Sequence, residues 1–159
     1  MEDDFLAYFI ERKEKAATLY LLTKKIYNPY FKQDIILNSD GFHHLQFSAR
    51  RERDKHEQLL KFSLLPLAFD IVKKSGTLQE YRKILSPIGS KSKRDGAIIM
   101  KQIEYWAFIA ITGKNNTVKV RVILRRIGDG NIIFWSVMPD IKFRKEHGQK
   151  LHLYGIEDD

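Results

Sequence analysis

The stretch Trp106-Ala-Phe-Ile-Ala-Ile-Thr-Gly-Lys-Asn-Asn-Thr-Val-Lys-Val-Arg-Val-Ile-Leu-Arg-Arg-Ile-Gly-Asp-Gly-Asn-Ile-Ile-Phe-Trp-Ser-Val-Met-Pro139 decides the fold. Three β-favouring runs are separated by two turn signals of the Asn/Asp/Gly kind, which predicts an antiparallel three-strand meander. A two-residue type I′ turn at Asp129-Gly130 places Arg125 opposite Phe134 and Ile123 opposite Ser136. The same turn at Asn115-Asn116 places Ile109 opposite Val122 and Trp106 opposite Arg125. Side chains alternate along a strand, so one face is expected to carry Tyr105, Ala107, Ile109, Ile111, Val118, Val120, Val122, Leu124, Ile133, Trp135 and Val137, with Arg126 its only charge. That face is the expected core. The other carries Trp106, Phe108, Thr112, Lys119, Arg121, Ile123, Arg125, Ile132, Phe134, Ser136 and Met138, where cations, aromatics and a hydroxyl interleave. A bulge in either hairpin would swap part of this division.

Working outward, the 159 residues suit one domain that buries roughly two thirds of its unfolded surface. Hydrophobic residues at 43% and charged residues at 30% describe a globular chain, neither disordered nor membrane-spanning. No run reaches the ~20 apolar residues of a spanning helix, and the acidic start Met1-Glu2-Asp3-Asp4 is unlike a secretory signal; a cytoplasmic protein with no membrane partner is expected. With no cysteine, thiolate metal sites, disulfides and cysteine nucleophiles are excluded. Of five histidines only His43 and His44 are adjacent, and neighbours in sequence do not share a helix face, so no metal or other cofactor is expected. A net charge of +8 suits an anionic partner or simply a basic, soluble surface.

Residues 3 to 26 read as a packing helix with Asp3 or Asp4 at its start, ended by Asn28-Pro29-Tyr30. Asp34 to Leu37 reads as a short strand and Asn38 to Gly41 as a turn. Phe42 to Lys61 can run as one helix with a charged centre. Pro66 then opens a second, Leu67 to Lys74, closed by Ser75-Gly76. Thr77 to Leu85 is open between edge strand and short helix, and Ser86 to Gly96 reads as a cationic, mobile loop. The polar tail from Asp140 to Asp159, with Phe143, Leu151, Leu153 and Tyr154, is an added edge strand or frayed. The fold expected is therefore α+β: N-terminal helices packed on a curved antiparallel sheet that ends in the meander, with residues 1–33 helical, 34–139 the core and 140–159 the tail.

A short strand, a turn ending in Gly41-Phe-His-His-Leu45, a basic helix, a proline-started helix and a meander with Val-Ile-Leu-Arg-Arg-Ile-Gly-Asp-Gly and Phe-Trp-Ser-Val follow in order. Over residues 34 to 139 this resembles the phage- and plasmid-associated branch of the metal-independent nucleases related to barnase, the colicin RNases and RelE. The resemblance implies RNA as substrate, cleavage without metal, and a toxin or effector held in check by an antitoxin or immunity protein. It implies a histidine after the first strand, matched by His44 with His43 beside it. It implies cations on the next helix, matched by Arg50 and Arg53, cations on the strand, matched by Arg121, Arg125 and Arg126, and a late hydroxyl, matched by Ser136. His43, His44, Arg50, Arg121, Arg125 and Ser136 are thus the candidate catalytic residues, and Arg51, Arg53, Lys119, Arg126 and Trp106 the candidate RNA contacts.

These residue types suit the chemistry. A histidine titrating near neutral pH can take or give a proton, and a guanidinium grips a phosphate through paired hydrogen bonds. Trp106, Phe108 and Phe134 could stack bases or pack beneath a helix. Two other readings stand beside the nuclease: a non-catalytic RNA or DNA binder using the same basic sheet, and an adaptor whose basic surface meets an acidic partner.

Overall fold

The computed structural model describes residues 1–140 and Asp159; the expected fate of the tail between them lies outside the described residues. Helix α1 (Glu2–Thr23) opens with Glu2, Asp3 and Asp4 in its first turn, where acidic groups complement the helix dipole. It stops at Lys24, which turns into the left-handed region at φ 62°. The chain is extended at once as β1 (Lys25–Asn28) and returns antiparallel as β2 (Gln33–Ile36). The helix expected to reach residue 26 therefore ends early, and a hairpin takes its place.

Asn38 is not in a free turn. Its side chain accepts the Gly41 N–H at 3.0 Å and so caps α2 (Ser39–Gln46). The single helix expected from Phe42 to Lys61 is broken by a tight loop, and α3 (Lys55–Lys74) restarts where Asp54 accepts the Glu57 N–H at 2.8 Å. α3 runs unbroken through Pro66, where a new helix was expected. Only the Phe62 carbonyl loses its intrahelical donor there, and the apolar stripe Phe62, Leu65, Ala68, Phe69 and Val72 is buried on both sides of the proline. No helix among the described residues is long and apolar enough to cross a membrane.

The protein is α+β, with its helices packed on a sheet that among the described residues is open and six-stranded, of order β1-β2-β6-β5-β4-β3. β3 (Glu80–Ile88), β4 (Ile99–Thr112), β5 (Val118–Ile127) and β6 (Ile133–Pro139) form an antiparallel meander, so the ambiguous segment after Thr77 is an edge strand. Part of the expected cationic loop, Ser86 to Ile88, belongs to that strand. The sheet is mixed, because β2 joins β6 in parallel.

The expected register fails in the first hairpin by one residue. Its connection is five residues long, Gly113 to Thr117, and Trp106 pairs with Leu124 rather than Arg125. A slip of one exchanges the faces of a whole strand. Trp106 and Phe108 accordingly join Val120, Val122 and Leu124 under the helices, with Phe108 fully buried. The second hairpin keeps Ile123 opposite Ser136, but a bulge then sets Leu124 opposite Phe134 and Arg125 opposite Ile133. Phe134 is thereby driven into the core, against Tyr20 and Phe69. Trp135, assigned to the core by simple alternation, packs instead with Ile103, Tyr105, Ala107 and Ile123 on the other side of the sheet.

β2 meets β6 at one registered position, Ile36 beside Ile133. Beyond it the outer edge of β6 is not paired to a strand among the described residues, and α2 and α3 approach it. This split in the sheet positions the site.

Candidate active site

Four polar side chains from α2, the loop after it, α3 and β6 meet at the split. His44 is 6% exposed, Arg53 4%, Lys61 3% and Ser136 0%. Burial of an arginine and a lysine as cations is costly unless each is paired and hydrogen-bonded, so each must be fixed by neighbours. Lys61 Nζ donates to Ser136 Oγ at 2.9 Å and to the Val137 carbonyl at 3.0 Å. Arg53 donates through Nε to the His44 carbonyl at 3.1 Å and through Nη1 to Glu57 Oε1 at 2.9 Å. The Asp159 carboxylate completes the group. It lies 3.3 Å from His44 Nε2 and 3.4 Å from both Arg53 Nη2 and Lys61 Nζ.

The local sequence explains why these groups converge. Gly41 lies so close to β6 that a Cβ would collide with the Phe134 carbonyl oxygen and the Tyr20 hydroxyl. Only glycine seats α2 this deeply. Three residues on, His44 then lies flat on Trp135, ring centroids 4.0 Å apart. The α2–α3 loop is closed by a Phe47–Glu52 bridge and by Ser48 Oγ accepting the Arg50 and Arg51 N–H groups, both at 3.3 Å. Arg53 N–H returns to the Gln46 carbonyl at 2.8 Å, and Gln58 Nε2 holds the Arg53 carbonyl at 2.7 Å. Arg53 is thus fixed at both its side chain and its backbone.

Electrostatics follow from the burial. His44 is held below its usual pKa of 6.5, mainly by burial and further by Arg53 and Lys61, with Asp159 opposing. Lys61 is lowered by burial, against the pull of Asp159. Burial alone would raise Asp159, but the His44 hydrogen bond and the charges of Lys61 and Arg53 outweigh it and hold the carboxyl well below the usual range. One nitrogen, His44 Nε2, lies 3.2 Å from Arg53 Nη2 and 3.3 Å from Asp159 Oδ2. A carboxylate only accepts and a guanidinium only donates, so Nε2 serves one neighbour at a time: protonated it donates to Asp159, unprotonated it accepts from Arg53.

The structure divides the sequence candidates. His44, Arg53 and Ser136 come together, and Arg125 joins them indirectly, its guanidinium 4.0 Å from the Trp135 ring centre. His43 points away: it is exposed, stacked on Phe47, and borders a cleft of ≈ 670 Å³ to which, among the described residues, no lysine or arginine contributes. Arg50 and Arg51 are exposed on the loop, with Arg51 3.6 Å from Glu57. Arg121 is buried and bound to Glu80 at 3.0 Å and Asp140 at 3.1 Å, and Lys119 also meets Asp140. Arg126 is tied to Glu104 beside Trp106, which is itself buried and unavailable to stack a base. Lys119, Arg121 and Arg125 still alternate along one face of β5, but Glu80 and Asp140 take up Arg121 and Lys119 there, and the slip and bulge remove Trp106, Phe108 and Phe134 from that face.

Lys61 and Asp159 were missed. The signal for Lys61 was present: it falls on the buried stripe Gln58, Lys61, Phe62, Leu65, Ala68 at helical spacing, and a lysine there needs a partner. Nothing local marks Asp159. Comparison of the chain with family models, curated proteins and solved structures finds no match.

Proposed function

We propose that the protein is a metal-independent endoribonuclease acting as a toxin or effector, with His44, Arg53, Lys61 and Ser136 as its reaction centre. The observation that carries this reading is one buried network in which His44 touches Arg53, Lys61 touches Ser136, and Asp159 joins His44, Arg53 and Lys61. Such a group can move a proton and bind a phosphate oxygen, the two requirements of RNA cleavage without metal.

In this reading His44 Nε2, once free of its proton, takes the 2′-OH proton. The 2′ oxygen forms its bond to phosphorus as the bond to the 5′ oxygen breaks. Arg53 and Lys61 neutralise the oxyanion that builds up between those events. The Lys61 ammonium, made more acidic by burial, protonates the departing 5′ oxygen while Ser136 Oγ and the Val137 carbonyl hold it in place. A 2′,3′-cyclic phosphate and a free 5′-OH result. The ring of Trp135 keeps the imidazole plane fixed throughout.

The test uses purified protein on total RNA and on one strand with a deoxyribose at the cut site. Cleavage that survives EDTA, stops at the deoxyribose and is lost in His44→Ala is the expected result, with growth arrest on induction lost in the same variant. Cleavage of the deoxy strand, or dependence on a divalent ion, would overturn the mechanism. Tight RNA binding with no cleavage would favour the non-catalytic binder, a reading to which the exposed cations Lys91, Lys93 and Arg94 lend support.

A further inference from the structure

The reaction centre is closed. With His44, Arg53, Lys61 and Ser136 between 0 and 6% exposed, no phosphodiester of a polymer can touch them in this arrangement. Asp159 occupies the space toward which they point, its side chain 14% exposed. Its two oxygens take up His44, Arg53 and Lys61 at 3.3–3.4 Å, the set of donors that a phosphate with two free oxygens would use. These contacts are longer than the 2.7–2.9 Å typical of charge-assisted bonds. A carboxylate is planar with two oxygens, and it fills a site with donors from three directions less completely than a tetrahedral anion would.

Asp159 and Arg53 also compete for one atom of His44. While Nε2 donates to Asp159 it carries the proton and has no lone pair to offer a 2′-OH; without that proton it accepts from Arg53 instead. Asp159 therefore blocks the anion site and, whenever it holds the Nε2 proton, the base as well.

We infer that Asp159 is an internal stand-in for the substrate phosphate, so that the chain holds its own oxyanion site shut until the carboxylate is displaced. This rests on the nuclease reading for its substrate but not for its central statement, which concerns an anion site and its occupant. Without Asp159 the buried Lys61 has no carboxylate within ion-pair distance among the described residues, whereas Arg53 keeps Glu57, so loss of the carboxylate is to be compensated by phosphate.

The experiment compares wild type with Asp159→Ala and Asp159→Asn, the second keeping shape without charge. Inorganic phosphate is titrated by calorimetry and by thermal unfolding, with sodium chloride at matched ionic strength as control. Both variants are expected to melt below wild type in chloride, to regain stability as phosphate is added, and to bind phosphate at least about 10-fold tighter than wild type. RNA cleavage per molecule should rise by a similar factor. Tighter phosphate binding with no cleavage by any form would uphold the inference and sink the nuclease reading. Equal phosphate affinity in all three proteins, or no recovery of stability in either variant, would overturn it. So would active wild type beside two inactive variants, because Asp159 would then take part in the reaction.

Discussion

The imidazole of His44 lies on the indole of Trp135, ring centroids 4.0 Å apart and planes 16° from parallel, while the Arg125 guanidinium lies at 4.0 Å from the same indole. A bulge in β6 makes this contact, because it re-aims Trp135 to the outer edge of the strand where α2 can reach it. Stacking of this kind contributes about 0.5–1.5 kcal/mol beyond area burial, but its larger effect is to fix a ring plane. Trp135→Ala is therefore expected to lower stability by roughly 2–4 kcal/mol and, on the proposed nuclease reading, to lower kcat by more than that loss of fold explains. Trp135→Phe should recover most of both. Urea unfolding and single-turnover cleavage measure the two separately, and equal loss in Ala and Phe variants would deny the ring its positioning role.

Gly41 gives a sharper test of how the site is assembled. A methyl group there meets backbone, the Phe134 carbonyl, which cannot rotate aside. Overpacking of this kind costs about 1–3 kcal/mol, and α2 must move away from β6 to relieve it. Gly41→Ala should therefore melt lower and also shift the His44 ring signals in an NMR spectrum, because the ring leaves Trp135. A variant that is destabilised with unshifted His44 signals would place the strain elsewhere.

Asn28 links the two layers far from the site. Fully buried, it donates to the Val72 and Ser75 carbonyls at 2.7 and 3.2 Å and accepts the Phe31 N–H at 3.0 Å. Asn28→Ala strands the α3 carbonyls at the helix end and should cost about 1–3 kcal/mol with no change in the pH profile of activity. A stability loss well under that range in chemical unfolding would mean that water replaces the amide.

The stability of the protein should depend on pH through His44. Burial lowers its pKa below 6.5, so between that lowered value and 6.5 the unfolded chain binds a proton that the folded chain refuses. The contribution of neutral His44 is complete above 6.5 and is lost as pH falls through this window. Asp159, lowered from 3.8, adds a separate loss only below about that pH. Unfolding free energy measured from pH 7.5 to 5 should decline in wild type and stay flatter in His44→Gln. An equal decline in both would assign the titration to another group.

How far the sequence revealed all this can be followed in particular residues. The three runs of the meander were legible because β-branched and aromatic residues dominate them and Gly, Asn and Asp interrupt them. Its faces were not, since Gly113 to Thr117 gives no sign that five residues, not two, make the turn. Phe108 and Phe134 show the cost: the sequence left both open between stacking bases and packing beneath a helix, and the slip in the first hairpin and the bulge in the second bury them fully. His44, Arg53 and Ser136 were found by residue type and order along the chain. The contribution of Lys61 depends on which face of α3 meets β6, and that of Asp159 on a contact across 115 positions to His44; spacing along the sequence encodes neither.

The final prediction separates buried from available cations. Arg121, expected from the sequence to grip phosphate, is held by Glu80 and Asp140 and has little exposed surface. The tip of the β3–β4 hairpin, in contrast, exposes Lys91, Lys93 and Arg94 with Asp95 as its one acid. Counterion release requires cations that reach the phosphate chain, and each such contact on a single strand adds about 0.7 to the magnitude of the log-log salt slope. Replacing Lys91, Lys93 and Arg94 together by alanine should flatten that slope by up to about 2 for single-stranded RNA and leave the melting temperature unchanged. Arg121→Ala should do the reverse: it leaves the slope as it is and lowers the melting temperature, because Glu80 and Asp140 lose a buried partner. Filter binding of labelled RNA across a range of potassium chloride, with thermal unfolding of each variant, reads both quantities. A slope that falls in Arg121→Ala and not in the hairpin variant would mean that RNA binds the meander face after all, with Arg121 released from its two carboxylates on binding.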